Sequence, residues 1–182
     1  MDMTEKYVSH KSIFKGRILE VQLHDIILPN GDSDSREIII PNGGASVLPI
    51  DNAGNVYLVR QFRYPVQGEV LEIPAGKLNS GESHLECARR ELEEETGYEA
   101  GNIELLAQAY LNPAYIKEKA HIFIATQLKK GKQNLDEDEF LDVVKMPFKE
   151  AYKMVEEGSL LDAKTQLAIL KAADYAKNKG FI

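Results

Sequence analysis

The segment GKLNSGESHLECARRELEEETGY, from Gly76 to Tyr98, constrains the fold more tightly than any other part of the chain. Ser83 is followed three residues later by Glu86, a capping-box pattern that predicts the start of a helix at Ser83. Gly97 can supply the left-handed end of this helix. The preceding apolar run, VLEIP, is typical of a strand. The chain is therefore expected to pass from a strand, through a glycine-containing loop, into a helix.

One face of the predicted helix is apolar, and acidic residues lie beside it. At about 100° per residue, the residues that share this face are Leu85, Ala88, Leu92 and Thr96. We expect the face to pack against a sheet, because a helix with one apolar stripe buries that stripe. Glu91 and Glu95 stack on the edge of this face, and Glu94 lies one step further round.

The charges of Glu91 and Glu95 repel each other, and more strongly at a seam between helix and sheet than on an open surface. Without a counter-charge, their pKa values would rise. A divalent cation would remove the repulsion, and ligands that are all oxygen favour Mg2+ or Mn2+ over Zn2+. The alternative is a solvated acidic face on which Arg90 pairs with Glu94, an interaction of only about 0.3 kcal/mol.

The composition excludes several classes of protein. A chain of 182 residues suffices for one domain with a small addition. Its net charge of -7 disfavours a nucleic-acid coat. The longest stretch without charge, residues 38–50, is broken by Pro and Gly and is shorter than the about 20 residues that span a membrane. A single cysteine, Cys87, and a polar N-terminus without the apolar core of a secretory signal predict a cytoplasmic protein.

Turn residues divide the rest of the chain. Between residues 16 and 40, the β-rich runs RILEVQLHDIIL and REIII flank PNGDSDS, which predicts a long antiparallel hairpin. The PNGG of residues 41–44 marks a boundary, so we predict an N-terminal β region, residues 1–43, and a second domain, residues 44–182. Further strands are predicted in SVLPI, NVYLVRQFRYP, GEVLEIPAG, IELLAQAYLN, KAHIFIATQL and LDVVKM.

Two helices are predicted near the end of the chain. FKEAYKMVEEG is an amphipathic helix that Gly158 ends, and Asp162 can cap a longer helix that follows. Helices combined with mostly antiparallel strands predict an α+β fold in which a sheet is layered with helices on its faces.

Taken whole, residues 76–98 resemble the Nudix box: Gly, five residues, Glu, seven residues, Arg-Glu-aliphatic, one residue, Glu-Glu, one residue, Gly-aliphatic. These places hold Gly76, Glu82, Arg90, Glu91, Leu92, Glu94, Glu95, Gly97 and Tyr98. Only Tyr98 departs from the commonest choice. The resemblance implies an α/β/α sandwich with a mixed sheet, and hydrolysis of a nucleoside diphosphate linked to another moiety.

The resemblance also implies roles for individual residues in the box. The metal-ligand candidates are the carbonyl of Ala75 and the carboxylates of Glu91, Glu94 and Glu95, with Mg2+ as the cofactor and Mn2+ as a possible substitute. Arg90 and Glu82 would hold the geometry of the box, together with Gly76 and Gly97.

Residues outside the box resemble the ADP-ribose pyrophosphatase branch of the Nudix family. Pro113 lies sixteen residues after Gly97, the position that marks this branch. By this resemblance, the residues that contact substrate are Arg36, Arg63, Lys77, Asn112 and Glu118, with the two arginines on the diphosphate. Ala114 stands where the branch usually has Gly. GDP-mannose and other nucleoside diphosphate sugars therefore remain alternative substrates.

The acidic run NLDEDEFLDVV resembles the loop that carries the catalytic base in this branch. The resemblance assigns Glu137 as the base and Glu139 as a further metal ligand. A shift of one or two positions would pass these roles to neighbouring acids within residues 136–139. An EF-hand is excluded, because the run lacks Gly at the sixth position and Glu at the twelfth position of such a loop.

In the resembled branch, the N-terminal β region exchanges with its counterpart in a homodimer and forms part of the substrate wall. The same arrangement is expected here, with Arg36 able to serve the neighbouring site and with no nucleic-acid or membrane partner. Two other classes are kept as alternatives. A non-catalytic sensor of nucleotide sugars would be expected to lack one of the box acids, all of which are present, and an interaction protein with an acidic helix would not need the glycines.

Overall fold

A computed structural model describes residues 2–137 and 139–182, which leaves Met1 and Asp138 outside the described residues. The chain divides into two compact units. The first contains the described residues up to Gly43 and, in addition, Tyr110–Lys119. The second contains Gly44–Ala109 and Ala120–Ile182. Within the described part of the chain, no helix has the length and apolar character needed to cross a membrane.

The first unit is built on a three-stranded antiparallel sheet of β1 (Lys6–Lys15), β2 (Leu19–Ile27) and β3 (Ser33–Pro41). The predicted hairpin is confirmed as β2 and β3. Strand β1 was not predicted. All of its residues are exposed, so its sequence shows no division into a buried and a solvent face.

Two short sheets make up the second unit. One has the order β10-β5-β6, formed by β5 (Asn55–Arg63), β6 (Gly68–Glu72) and β10 (Leu141–Pro147). The other has the order β7-β4-β9-β8, formed by β4 (Gly44–Pro49), β7 (Ala75–Lys77), β8 (Tyr98–Ala109) and β9 (Ala120–Lys130). The pair β4 and β9 is parallel, which makes the second sheet mixed, as predicted.

The helices of this unit are α1 (His84–Thr96), α2 (Phe148–Glu156) and α3 (Ala163–Lys179). Helices α1 and α3 pack on the four-stranded sheet, whereas α2 contacts α3 and strands β5 and β10. On one side, Ala88 and Leu92 of α1 pack in a buried cluster with Val47 and Phe123 of the sheet. On the other side, a second cluster joins the sheet to α2 and α3 through Leu48, Ile122, Phe148, Ala168, Ile169 and Ala172. The second unit is therefore an α/β/α sandwich, and the predicted fold class is confirmed.

The apolar face of α1 differs from the prediction in one position. Leu85 is 40% exposed, whereas Cys87 is fully buried. The loop before the helix explains the difference, because it lies against the side of α1 that carries Cys87. The Cys87 sulfur is 3.6 Å from the carbonyl oxygen of Gly76 and 3.5 Å from that of Lys77. The buried face is therefore turned toward this loop and includes Glu91 and Glu95.

Candidate metal and diphosphate site

The start of α1 is fixed by the capping box that the sequence predicts. The Ser83 hydroxyl accepts a hydrogen bond from the Glu86 amide at 3.3 Å, and the Glu86 carboxylate accepts one from the Ser83 amide at 2.8 Å. Gly97 ends the helix with a φ of 71°, a left-handed conformation that favours glycine. The caps fix where the helix begins and ends, and the packing of Cys87, Ala88 and Leu92 on the sheet sets its rotation about its axis, which turns Glu91 and Glu95 inward.

Glu91 packs directly on the backbone of Gly76. A Cβ atom added to Gly76 would lie 1.8 Å from Oε1 of Glu91, far inside van der Waals contact. Glu91 is only 5% exposed, so it has little room to move away. The glycine is therefore required here for close approach, and this explains why a glycine precedes the acidic helix in the sequence.

Glu95 is the most deeply buried acid of α1, at 2% exposure. Its Oε2 atom accepts a hydrogen bond from the amide of Ala75 at 3.0 Å. Burial, followed by the charge of Glu91, raises the pKa of Glu95 to about 8. Burial likewise raises the pKa of Glu91. The structure thus bears out the expectation that the pKa values of these two acids rise.

Arg90 is the counter-charge that pairs with Glu91, whereas the charge of Arg63 acts on Glu95 from a greater distance, without an ion pair. Nη1 of Arg90 donates to Glu91 at 2.7 Å and to Glu94 at 2.8 Å, and its Nε donates to Glu82 at 2.8 Å. The pairing with Glu82, opposed in part by burial, raises the pKa of Arg90, while the pKa of Glu82 falls to about 2. Nη2 also donates to the carbonyl of Lys77 at 2.9 Å, which ties the loop to the helix. The pair of Arg90 with Glu94, considered above as an alternative to metal binding, is therefore present.

Arg90 does not balance all of the acids. Three carboxylates (Glu82, Glu91 and Glu94) pair with this one guanidinium, and the buried acid Glu95 makes no ion pair among the described residues. Within residues 2–137 and 139–182, no group of three or more His, Cys, Asp or Glu side chains is already arranged to hold a metal ion. The donors are nevertheless all oxygen, two are buried, and their negative charge exceeds the positive charge beside them. This donor set fits a hard divalent cation such as Mg2+.

The acidic loop after β9 contributes a further charge. The charge of Glu139 helps to raise the pKa values of both Glu91 and Glu95, so its carboxylate lies within electrostatic range of them. The amide of Asp136 donates to the Glu139 carboxylate at 3.3 Å. Glu137 lies in a turn and is exposed. The structure thus places the charge of Glu139 near the acids of α1 and leaves the side chain of Glu137 open to solvent.

Arg63 is held at the end of β5 by an acid that the sequence analysis missed. Its Nε and Nη2 atoms donate to the two oxygens of Glu72 at 2.6 and 3.2 Å. Glu72, at the end of β6, is only 4% exposed. One signal could have found it: an acid in the apolar run VLEIP needs a charged partner if the strand is buried.

The remaining predicted substrate residues lie in different places. Lys77 belongs to β7 and its side chain is exposed. Arg36, in the first unit, forms ion pairs at 2.5 Å with Glu5 and with Asp34. Asn112, Pro113 and Glu118 lie in the segment of the first unit that runs from 110 to 119. There Asn112 accepts a hydrogen bond from the Ile116 amide at 3.0 Å, Pro113 is exposed in a turn, and Glu118 is half-buried.

Comparison with known proteins gives a consistent result. Residues 41–165 match the family model described as the NUDIX domain. An ADP-ribose pyrophosphatase of Bacillus subtilis is 40% identical over 169 residues, covering 92% of this chain and 91% of the relative. A methanol dehydrogenase activator of Bacillus methanolicus is also 40% identical, over 168 residues, covering 91% and 90% of the two chains.

Two further matches extend the comparison. A GDP-mannose pyrophosphatase of Pectobacterium atrosepticum is 35% identical over 184 residues, covering 94% of this chain and 93% of the relative. The crystal structure of an ADP compounds hydrolase superimposes with a TM-score of 0.85 at 23% identity and covers 100% of both chains, which shows the shared fold. Because the family model matches residues 41–165, more than half of the chain, and a relative is 40% identical over 92% of it, this chain belongs to the NUDIX family.

Proposed function

We propose that this protein is a Mg2+-dependent pyrophosphohydrolase that cleaves the diphosphate of ADP-ribose or another nucleoside diphosphate sugar. The products are a nucleoside monophosphate and a sugar phosphate. The observation that carries this proposal is the buried pair Glu91 and Glu95, which packs on the backbone of Ala75 and Gly76. Arg90 pairs with Glu91 and with two further acids, so its single positive charge does not balance the negative charge of the site. A purely structural cluster would be expected to carry enough positive charge to balance its buried acids.

The proposed metal ligands are Glu91, Glu94, Glu95, Glu139 and the carbonyl oxygen of Ala75. When bound, Mg2+ would stabilise negative charge on the phosphate oxygens and make water more acidic. The amide of Ala75 fixes one oxygen of Glu95. Arg90 fixes one oxygen of Glu91 and ties the loop to α1. These contacts orient the proposed ligands before any ion binds.

Other side chains are proposed to transfer the proton and to bind the substrate. Glu137, which is exposed, accepts the proton of the attacking water. Arg63 binds the diphosphate, because the pairing of its Nε and Nη2 with Glu72 leaves Nη1 without a protein acceptor in the described part of the chain. Arg36, Lys77, Asn112 and Glu118 are the other proposed substrate contacts. The two acids that pair with Arg36, Glu5 and Asp34, reduce the positive charge that it offers to a substrate.

The experiment that tests this function is a substrate panel assayed with Mg2+. It contains ADP-ribose, GDP-mannose, UDP-glucose, diadenosine polyphosphates and nucleoside triphosphates, and each product is identified by chromatography. We expect ADP-ribose to give AMP and ribose 5-phosphate, with no reaction after chelation of the metal. Folded protein that hydrolyses none of the diphosphate sugars with either Mg2+ or Mn2+ would contradict the proposal.

GDP-mannose is the second candidate substrate, because a relative with 35% identity over nearly the whole chain is a GDP-mannose pyrophosphatase. The same panel separates the two candidates by their kcat/KM values. A preference for GDP-mannose of tenfold or more, about 1.4 kcal/mol, would make it the substrate in place of ADP-ribose.

We also propose that the protein acts as a cytoplasmic homodimer in which the first unit forms the interface and part of the substrate wall. Supporting this, Tyr7, Val8, Ile13 and Phe14 of β1 are each more than half exposed. Large apolar side chains on one strand favour a partner surface. Light scattering after size exclusion is expected to give twice the 20.4 kDa mass of the chain. A monomer that is fully active when dilute would contradict the dimer.

A further inference from the structure

The Arg63–Glu72 pair belongs to a larger cluster that reaches α3. Lys164 lies 3.6 Å from Oε2 of Glu72, and it also pairs with Asp162 at 2.7 Å. The cluster therefore alternates in sign from Arg63 through Glu72 and Lys164 to Asp162. Two positive and two negative groups leave it without net charge.

The two cations contact Glu72 in different ways. Arg63 makes short, paired hydrogen bonds to both carboxylate oxygens, at 2.6 and 3.2 Å. Lys164, at 3.6 Å, is beyond hydrogen-bond distance, so its effect on Glu72 is electrostatic. It is also three-quarters buried, and water therefore screens its charge only in part.

The backbone next to Glu72 is held by the same turn of α3. The amide of Ile73 donates to the hydroxyl of Thr165 at 2.8 Å, and that hydroxyl donates to Asp162 at 2.7 Å. Two residues later, Ala75 donates to Glu95. The first turn of α3 therefore holds the segment that leads from Glu72 to the proposed metal ligands. Because Lys164 belongs to the same turn, its position relative to Glu72 is fixed as well.

We infer that Lys164 is a positioning residue that balances the charge of Glu72, so that the positive charge of Arg63 remains available to the substrate diphosphate. The inference rests on the proposed function. If Lys164 lost its charge, the four-residue cluster would become negative by one unit beside the diphosphate. Arg63 would also be the only cation beside Glu72, and Glu72 would hold the Arg63 guanidinium more tightly. The net negative charge of the cluster would repel the incoming anion.

The test uses the full-length protein with the variants Lys164→Met and Lys164→Arg. For Lys164→Met, we expect the KM for the diphosphate sugar to rise roughly three- to tenfold, while kcat changes by less than about twofold. Lys164→Arg should restore most of the wild-type KM, because it keeps the charge. The rise should shrink in high salt, which a merely structural defect would not do. Lys153→Met is the matched control, since Lys153 is an exposed lysine paired with Glu157 on α2.

A spectroscopic readout separates this inference from the proposed function. The NMR signal of the Arg63 Nε–H group, assigned by its loss in Arg63→Lys, should move downfield in Lys164→Met and stay near its wild-type position in Lys164→Arg. If the wild type hydrolyses none of the diphosphate sugars of the panel, the proposed function fails. Calorimetric binding of inorganic pyrophosphate then still tests Lys164, and the affinity should fall by the same three- to tenfold, as expected from charge loss.

Two results would overturn the inference. One is an unchanged Arg63 signal together with unchanged KM and pyrophosphate affinity in Lys164→Met. The other is a moved signal without any loss of anion affinity, because the charge of Lys164 would then not reach the diphosphate. If Lys164→Met does not fold, Lys164→Gln takes its place in every measurement.

Discussion

Two clusters of buried acids in the same sandwich differ in how their charge is balanced. Around Arg90, three carboxylates (Glu82, Glu91 and Glu94) share one guanidinium, and the neighbouring buried acid Glu95 has no ion pair among the described residues. Around Glu72, two acids alternate with two cations, Arg63 and Lys164. The balanced cluster can stabilise the fold by itself, whereas the acids around Arg90 exceed its positive charge, and the pKa values of Glu91 and Glu95 are raised. This difference separates a structural ion pair from a candidate metal site.

The largest effect is expected from Glu95→Gln in the unbalanced cluster. Loss of a proposed metal ligand should lower kcat by at least about 100-fold, since metal ions contribute several kcal/mol to such reactions. Stability without metal should stay the same or rise, because Gln removes the cost of ionising a buried acid. Kinetics with Mg2+ and thermal unfolding check both points, and Mg2+ should raise the Tm of the wild type but not that of Glu95→Gln.

Glu93→Gln is the control for this change, because Glu93 is exposed on the same helix. It should keep wild-type kinetics and the same response to Mg2+. If Glu95→Gln retained near wild-type turnover, the assignment of the metal site would be wrong.

Gly76→Ala should have the next largest effect and tests the contact between loop and helix. The added methyl group would meet Glu91 at 1.8 Å and displace its carboxylate, which Arg90 holds at 2.7 Å. We expect kcat to fall about 10- to 100-fold, as for a misplaced catalytic group, with a much smaller effect on Tm. Gly68→Ala is the matched control, because its added Cβ would lie 3.8 Å from the nearest atom, the carbonyl oxygen of Val66, which is ordinary van der Waals contact. Equal activities of the two variants would show that the position of Glu91 is not critical.

Glu72→Gln tests the balanced cluster and should have the opposite outcome for stability. Removing this acid leaves Arg63 and Lys164 without their shared partner, so the free energy of unfolding should fall by about 2 kcal/mol. This figure allows for the partial exposure of Arg63. Urea unfolding measures it, with Glu69→Gln as the control on the exposed side of β6. If Glu72→Gln were as stable as the wild type, the contrast between the two clusters would be lost.

The smallest effect concerns Asp51, a second balanced acid. Burial alone would raise its pKa, but hydrogen bonds from Lys145, Asn55 and Tyr57 outweigh this and hold the pKa well below its ordinary value of 3.8. Because the pKa is lower in the folded state than in the unfolded state, this stabilisation is present above pH 3.8 and is lost as the pH falls below it.

Urea unfolding of the wild type and of Asp51→Asn at several pH values measures this contribution. The wild type should be more stable by about 1 kcal/mol at neutral pH, and the difference should shrink in acid. If the difference in the free energy of unfolding did not depend on pH, the charge of Asp51 and its ion pair with Lys145 would contribute nothing to stability.

Local patterns determined much of the fold and part of the candidate site. The capping box at Ser83 and the end at Gly97 depend on residues within one helix, and both are observed. The spacing of Glu91 and Glu95 was sufficient to predict that they stack on the edge of the face that packs against the sheet, because a helix repeats every 3.6 residues. The strands β2 and β3 followed from the turn residues between them.

Only the tertiary structure decided which residues meet across long separations in the chain. Leu85 appeared suited to the core but is exposed, because the loop at Gly76 covers Cys87 instead. Glu72 meets Lys164, which comes from the last helix, and no local pattern links the two. Secondary structure follows from neighbours along the chain, whereas the balance of buried charge depends on which distant groups share one space. For this reason the sequence could predict that acids gather on α1, but only the fold showed which acids remain unbalanced.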